Sequence, residues 1–267
     1  ILGVKIRNPN LLSQYNFLKK SEKWTLRQLE DYQLKQLKIF IEFVYNNSSY
    51  YHDLFDSVKF NPAKLSTLSD LQRIPTIDKN KLIKENASIH TNFPFKKTFF
   101  SETSGSSGQV LKFYKDEYWD SFNRASIMRG YSWYNVKPWE RNGYFWGYNI
   151  SPQKVWRIKL LDFLQNRFRV FTYNEKDIIF FAKKLQKATY VEGYSSMIYE
   201  VAKIINNSTS FSDIHFDLKM VKGTSEKIFE SYQPEVRRAF GQKLISEYGA
   251  AESGIIAFEC PEGNMHI

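Results

Sequence analysis

Two short runs in this chain of 267 residues have the make-up of a site that handles phosphate. Thr103-Ser104-Gly105-Ser106-Ser107-Gly108-Gln109 is built almost wholly from small side chains, so several backbone N–H groups can converge on one point. Such a concavity suits a polyphosphate. Residues 98–101 before it and 110–114 after it are rich in aromatic and β-branched side chains and read as strands. A loop between two strands differs from a Walker loop, which leads from a strand into a helix and carries Gly-Lys-Ser/Thr. No lysine follows Gly108, which argues against a P-loop nucleoside triphosphatase. The plain alternative for a Gly/Ser run is a flexible hairpin tip. Against it stand the apolar flanks and a second run that fits the same chemistry, Tyr248-Gly249-Ala250-Ala251-Glu252.

Together the two runs resemble the adenylate-forming superfamily of acyl-CoA synthetases, luciferases and peptide-synthetase adenylation domains. The nearer likeness is to the phenylacetate–CoA ligase family and its CapK-type relatives, for which capsular polysaccharide biosynthesis is one setting. Those proteins carry a Thr-Ser-Gly-Ser/Thr-Thr/Ser-Gly loop, then Tyr-Gly-x-Thr/Ser-Glu, then a strand ending near Glu-Cys and a Gly-x-x-His hairpin. Here the tail reads Glu259-Cys260-Pro261-Glu262-Gly263-Asn264-Met265-His266-Ile267. Fainter echoes are Ile74-Pro75-Thr76-Ile77-Asp78-Lys79, Glu192-Gly193-Tyr194-Ser195-Ser196 and Gly223-Thr224-Ser225-Glu226.

The resemblance implies ATP-dependent carboxylate activation. The acid attacks the α-phosphorus of ATP, pyrophosphate leaves, and the acyl group passes to CoA or another acceptor. Thr103, Ser104, Gly105, Ser106, Ser107 and Gly108 would wrap the β and γ phosphates. Gly223, Thr224, Ser225 and Glu226 would flank the adenine, and Tyr248 would stack on it. Gly249, Ala250 and Ala251 would complete the AMP site, and Glu252 would serve as the catalytic carboxylate holding Mg²⁺. Phe145, Trp146, Gly147, Gly193 and Tyr194 fall where relatives line the acyl pocket, although aromatic residues are abundant and the core is an alternative home for them. Taken singly, Tyr248 also fits a core aromatic, and Glu252 a solvated carboxylate at a helix start.

This sequence departs from the pattern at two places. Ala251 stands where relatives carry Thr or Ser, which removes a hydroxyl from the α-phosphate; one charge-assisted hydrogen bond is worth about 1.5–3 kcal/mol. Gln109 and Val110 replace a frequent Lys-Pro, which removes a cation. A non-catalytic nucleotide-binding relative, or a scaffold in a biosynthetic complex, is therefore the alternative reading.

Composition narrows the classes. The net charge is +10, but Lys and Arg come as scattered doublets with no Zn-ligand spacing or nucleic-acid-binding signature. We read a solvated basic surface that attracts anionic ATP and CoA, with neither nucleic acid nor membrane as a partner. No apolar run is long enough for a transmembrane helix. One cysteine excludes an internal disulfide and suits a cytoplasmic protein. His52, His90, His215 and His266 lack metal spacing, and Cys260 with His266 would supply too few ligands for structural zinc. A homodimer is admitted alongside a monomer.

Strands alternating with helices predict an α/β fold, an adenylate-forming N-terminal domain of mostly parallel sheets flanked by helices. Residues 1–95 form its helical lead-in and residues 96–267 its nucleotide-binding core. Thr25-x-x-Gln28 reads as a capping box opening a helix to about Tyr45, its apolar face drawn from Leu26, Leu29, Leu37, Phe40, Ile41 and Val44. Asp78 or Thr76 caps a short helix, and another runs from Glu117 to about Met128. Strands are expected at 144–148, 168–171, 218–222 and 244–246, with helices at 195–205 and 234–240, the last closed by Gly241. The chain begins at Ile1 and stops on a hairpin's return strand at Ile267. We therefore expect the N-terminal portion of a longer protein, inactive alone, without the C-terminal part and lid domain that carry the family's ribose-binding aspartate and catalytic lysine.

Overall fold

The computed structural model describes residues 6–103, 110–145, 152–170 and 174–267. The chain divides into two compact units, Ile1–Ala125 and Ser126–Ile267.

The first unit opens with helices α1 (Leu11–Ser21), α2 (Leu26–Asn47) and α3 (Ser49–Ser57), and continues with α4 (Lys79–Lys84) and α5 (Asn86–Ile89). The capping box forms as its spacing requires: Thr25 Oγ1 accepts from Gln28 N at 3.3 Å, and Gln28 Oε1 accepts from Thr25 N at 2.9 Å. Asp78 rather than Thr76 caps α4, accepting from Lys81 N at 2.8 Å. Of the α2 stripe only Ile41 and Val44 are fully buried. Ile41 and Val44 join Phe55, Phe60 and Leu65 in a small core, whereas Leu26, Leu29 and Phe40 are exposed. Periodicity marks an apolar face; a neighbouring element decides how much of it is covered.

Strands β1 (Thr98–Glu102) and β2 (Lys112–Asp116) pair antiparallel, Phe100 facing Tyr114. Helix α6 (Glu117–Trp133) follows at once and runs a turn beyond its expected end.

The second unit is a seven-stranded sheet of β3 (Asn142–Phe145), β4 (Arg167–Arg169), β5 (Tyr190–Tyr194), β6 (Met220–Thr224), β7 (Leu244–Ala250), β8 (Gly254–Glu259) and β9 (Met265–His266). Their spatial order is β4-β3-β5-β6-β7-β8-β9, parallel from β4 to β7 and antiparallel across β8 and β9. Parallel pairing needs a crossover between strands. Helices α7 (Pro152–Leu164), α8 (Glu175–Leu185), α9 (Ser195–Asn207) and α10 (Tyr232–Phe240) supply one in each gap. Gly241 closes α10 in the left-handed region, φ 72°, as a C-terminal glycine does.

The sheet is buried on both faces, and the strand period of two sorts its side chains. Val191, Val221 and Leu244 meet Phe181 of α8, Ile198 and Val201 of α9 and Phe240 of α10. Tyr190, Met220 and Ile245 point the other way, onto Tyr131 of α6 and Phe258. Among the described residues no helix is long and apolar enough to cross a membrane.

Candidate functional site

The strand ends line up. Phe145 pairs with Gly193, Gly193 with Gly223, and Gly223 with Ser246, one row across four strands at the C-terminal end of their parallel pairing. Open α/β sheets bind ligands at this edge. Close packing explains the glycine at 223: an added Cβ would come within 3.2 Å of Ser195 Cβ and 3.1 Å of Ile228 Cδ1. Past it the chain turns sharply, Ser225 taking φ 64°.

Beyond the row lies a cavity of about 720 Å³ whose walls include Ser225 and Glu226 after β6, Ser246, Tyr248 and Gly249 of β7, and Lys243. Four residues expected at the adenine and AMP site, from two runs, thus line one cavity. Tyr248 is 62 % exposed on a strand, so it is no core aromatic. Glu226 Oε2 accepts from Ser196 N at 2.9 Å, which places its carboxylate at the N-terminus of α9. Gly249 sits at a bulge in the β7–β8 pairing, where an added Cβ would lie 2.5 Å from the Gly254 carbonyl oxygen. The close approach that glycine allows here is to its own hairpin. Ala251, Glu252 and Ser253 form the exposed turn that follows, so Glu252 starts no helix.

Thr103 closes the base of the β1–β2 hairpin: its N–H donates to Leu111 O and its Oγ1 accepts from Leu111 N, both at 3.0 Å. Ser104, Gly105, Ser106, Ser107, Gly108, Trp146 and Gly147 lie outside the described residues. Phe145, expected at the acyl pocket or in the core, lies in the core. Its ring is fully buried against Phe181, at 4.7 Å between centroids, because its place in β3 turns it toward α8. Gly193 packs on the Phe145 backbone, and half-buried Tyr194 leads into α9.

Sequence reasoning missed the buried charges beneath this edge. Lys222 Nζ donates to Glu247 Oε2 at 2.6 Å and lies 3.0 Å from Glu192 Oε2. Glu192 also receives Arg167 Nη2 at 2.8 Å and the Tyr131 hydroxyl at 2.5 Å. Glu247 Oε1 accepts from the Thr224 hydroxyl at 2.6 Å, which ties the network to the cavity wall. Burial alone would raise the Glu192 carboxyl, but Lys222, Arg167 and the Tyr131 hydrogen bond outweigh it and hold it below the ordinary range. Burial would likewise strip the proton from Lys222, yet Glu247 and Glu192 push it above the usual lysine value. Half-buried Tyr144 pairs with Glu192 across the strands, and its desolvation followed by the Glu192 charge pushes its hydroxyl up to about 12. A faint signal was present: Glu192-Gly193 and Lys222-Gly223 put opposite charges at equivalent places in two strands. A second pair walls the cavity: Glu259 takes Lys243 on one oxygen and the Ser246 N–H, at 2.8 Å, on the other.

Among the described residues no three His, Cys, Asp or Glu side chains gather as a metal site. A lone Glu252 still suits Mg²⁺, which commonly takes one or two protein carboxylates and completes its shell from phosphates and water.

No family model and no curated protein matches the chain. Solved structures do. An open conformation of 2-hydroxyisobutyryl-CoA ligase in complex with 2-HIB-AMP and CoA aligns with TM-score 0.68 at 15 % identity, over 90 % of this chain and 59 % of that one. The same ligase in its thioesterification state aligns with TM-score 0.65 at 15 % identity, over 90 % of this chain and 54 % of that one. The chain thus spans little more than half the length of the ligase it matches. Its mostly parallel sheet with helices on both faces is the fold of the adenylate-forming enzyme domain.

Proposed function

We propose that the chain is the nucleotide-binding portion of an ATP-dependent carboxylate ligase of the phenylacetate–CoA ligase and CapK type. One observation carries the reading: Ser225, Glu226, Tyr248 and Gly249, singled out from two separate runs, share a cavity at the C-terminal edge of a parallel sheet. The fold likeness to a ligase whose structure holds an acyl-AMP and CoA supports it.

In this reading the adenine stacks on the exposed ring of Tyr248, with Thr224 and Ser225 along its edge. The Ser104–Gly108 amides and hydroxyls take the β and γ phosphates. A carboxylate oxygen of the acid attacks the α-phosphorus, the bond to the bridging oxygen breaks, and pyrophosphate leaves. A thiol of CoA, or another nucleophile, then displaces AMP from the acyl carbon. Mg²⁺ held by Glu252 would supply charge neutralisation for the phosphates. Aromatic catabolism or capsule biosynthesis is the setting, the cytoplasm the compartment, and a homodimer one assembly for the full protein.

Titration calorimetry with ATP-Mg²⁺ tests the nucleotide site: the Ser106→Ala/Ser107→Ala pair should weaken binding, and identical weak heats for both proteins would remove the reading. The second reading, a relative that binds nucleotide without turnover, is favoured by Ala251 alone. Pyrophosphate release by the full-length protein across a panel of carboxylic acids would exclude it.

A further inference from the structure

Helix α7 carries an apolar stripe that stands largely exposed among the described residues. Trp156, Leu160, Phe163 and Leu164 recur at helical spacing, and Phe163 and Leu164 are 79 % and 70 % exposed. Five such side chains, with Leu161, stand in water on one helix of 13 residues. Scattered exposed apolar residues are ordinary, but a contiguous stripe marks an interaction surface.

The charges around the stripe point to its partner. Asp162, the one acid in α7, is turned inward and held by Arg169 at 2.6 Å, so the outer face of the helix carries no carboxylate. Arg157 and Lys159 are exposed on it. Lys184 of α8 lies close enough to Arg141 and Lys159 that burial and their charges lower its pKa. Its ammonium also sits 4.1 Å from the ring centroid of Phe180, itself exposed. The surface is therefore aromatic and aliphatic side chains bordered by cations. That is the make-up of a helix lying in a membrane interface, its apolar face among acyl chains and its cations among anionic headgroups. At about 1.5 Å per residue the helix is too short to span a bilayer.

We propose that α7, with the neighbouring end of α8, docks the protein peripherally on anionic lipid bilayers. A protein partner would be expected to bring acidic side chains to the same cations, but a helix with five large exposed hydrophobics and no outward carboxylate needs a partner that is itself apolar beneath a layer of negative charge. Docking of this kind revises the expectation of no membrane contact without calling for a spanning segment, and it stands apart from the nucleotide chemistry.

Co-sedimentation of the chain with vesicles tests it, using phosphatidylcholine alone and an equimolar mixture with phosphatidylglycerol. Partition onto the anionic vesicles is expected, with little onto the neutral ones. Leu160→Glu/Phe163→Glu should lower it at least about tenfold, as should Lys159→Glu/Lys184→Glu. All four side chains face solvent wholly or in part, so these variants should fold, and an unchanged melting temperature checks it. Absence of binding to anionic vesicles overturns the proposal, as does equal binding by the variants. If the unaltered chain is a dimer by light scattering and Leu160→Glu/Phe163→Glu makes it a monomer, the stripe belongs to a second copy and the proposal fails.

Discussion

The ammonium of Lys222 lies 2.6 Å from the carboxylate of Glu247, and both side chains are almost wholly buried, at 4 % and 9 % exposure. A charge inside a protein is tolerated only when paired and hydrogen-bonded. Here Lys222 has two carboxylates, and Glu247 passes the constraint to the Thr224 hydroxyl. The C-terminal end of β6 is thereby locked to the middle of β7 beside the cavity.

Removing Lys222 should therefore cost more than removing the pair. Lys222→Met leaves Glu247 buried without its cation and should destabilise the chain by about 3–5 kcal/mol. Adding Glu247→Gln should recover at least about 1 kcal/mol of that loss. Urea unfolding of both variants measures it; additive losses would show that the two charges are not coupled.

Glu192 sets an acid limit. Its folded-state carboxyl is held below its ordinary value, so the stability it confers is complete above about pH 4.3 and fades as pH falls through the folded value. Lys222 acts in the opposite sense: its raised value gives stability that persists below its ordinary pKa and is lost only at more alkaline pH. Glu192→Gln should flatten the acid limb of an unfolding free-energy profile from about pH 7 down to about pH 3, relative to the unaltered protein. Parallel acid limbs would exclude Glu192 as the group responsible.

Tyr248 should separate binding from stability. Its ring is exposed, so Tyr248→Ala should change unfolding free energy by less than about 0.5 kcal/mol. Loss of base stacking should weaken ATP by about 1–3 kcal/mol, and Tyr248→Phe should retain most of it. Calorimetry read beside thermal melts distinguishes the two effects.

Gly249→Ala should do the reverse. The new methyl would meet the Gly254 carbonyl across the β7–β8 hairpin, a backbone contact that a rotamer change cannot relieve. A loss of about 1–3 kcal/mol in stability is expected, with nucleotide affinity falling only as the hairpin distorts. Full stability would mean that the bulge at Tyr248 and Gly249 gives way easily.

Ala251→Thr tests the missing hydroxyl. In the full-length protein it should raise acid-dependent pyrophosphate release by roughly tenfold, the effect of about 1.5 kcal/mol in the transition state. Unchanged release would mean that the turn holds its side chain away from the phosphate.

Local chemistry made much of this protein legible beforehand. Thr25 with Gln28 and Gly241 behind another helix each act over a few residues, so spacing alone specified them, whereas it left Asp78 and Thr76 both open as the cap of α4. The alternation of apolar strands with amphipathic helices foretold a mostly parallel α/β sheet. Helices α7 and α8 went unread although Asn174 caps α8 and buries Ile178, Phe181 and Leu185 at helical spacing, because aromatic residues crowd that stretch and blur its period. What only the tertiary structure decided was which distant side chains meet. Arg167, Glu192, Lys222 and Glu247 come from four strands, and a charge within a strand looks solvated until parallel neighbours bury it. Phe145 and Tyr248 are both aromatic residues on strands, yet one fills the core and the other stands in solvent. Their identities could not tell them apart, because burial depends on which helix covers each face of the sheet.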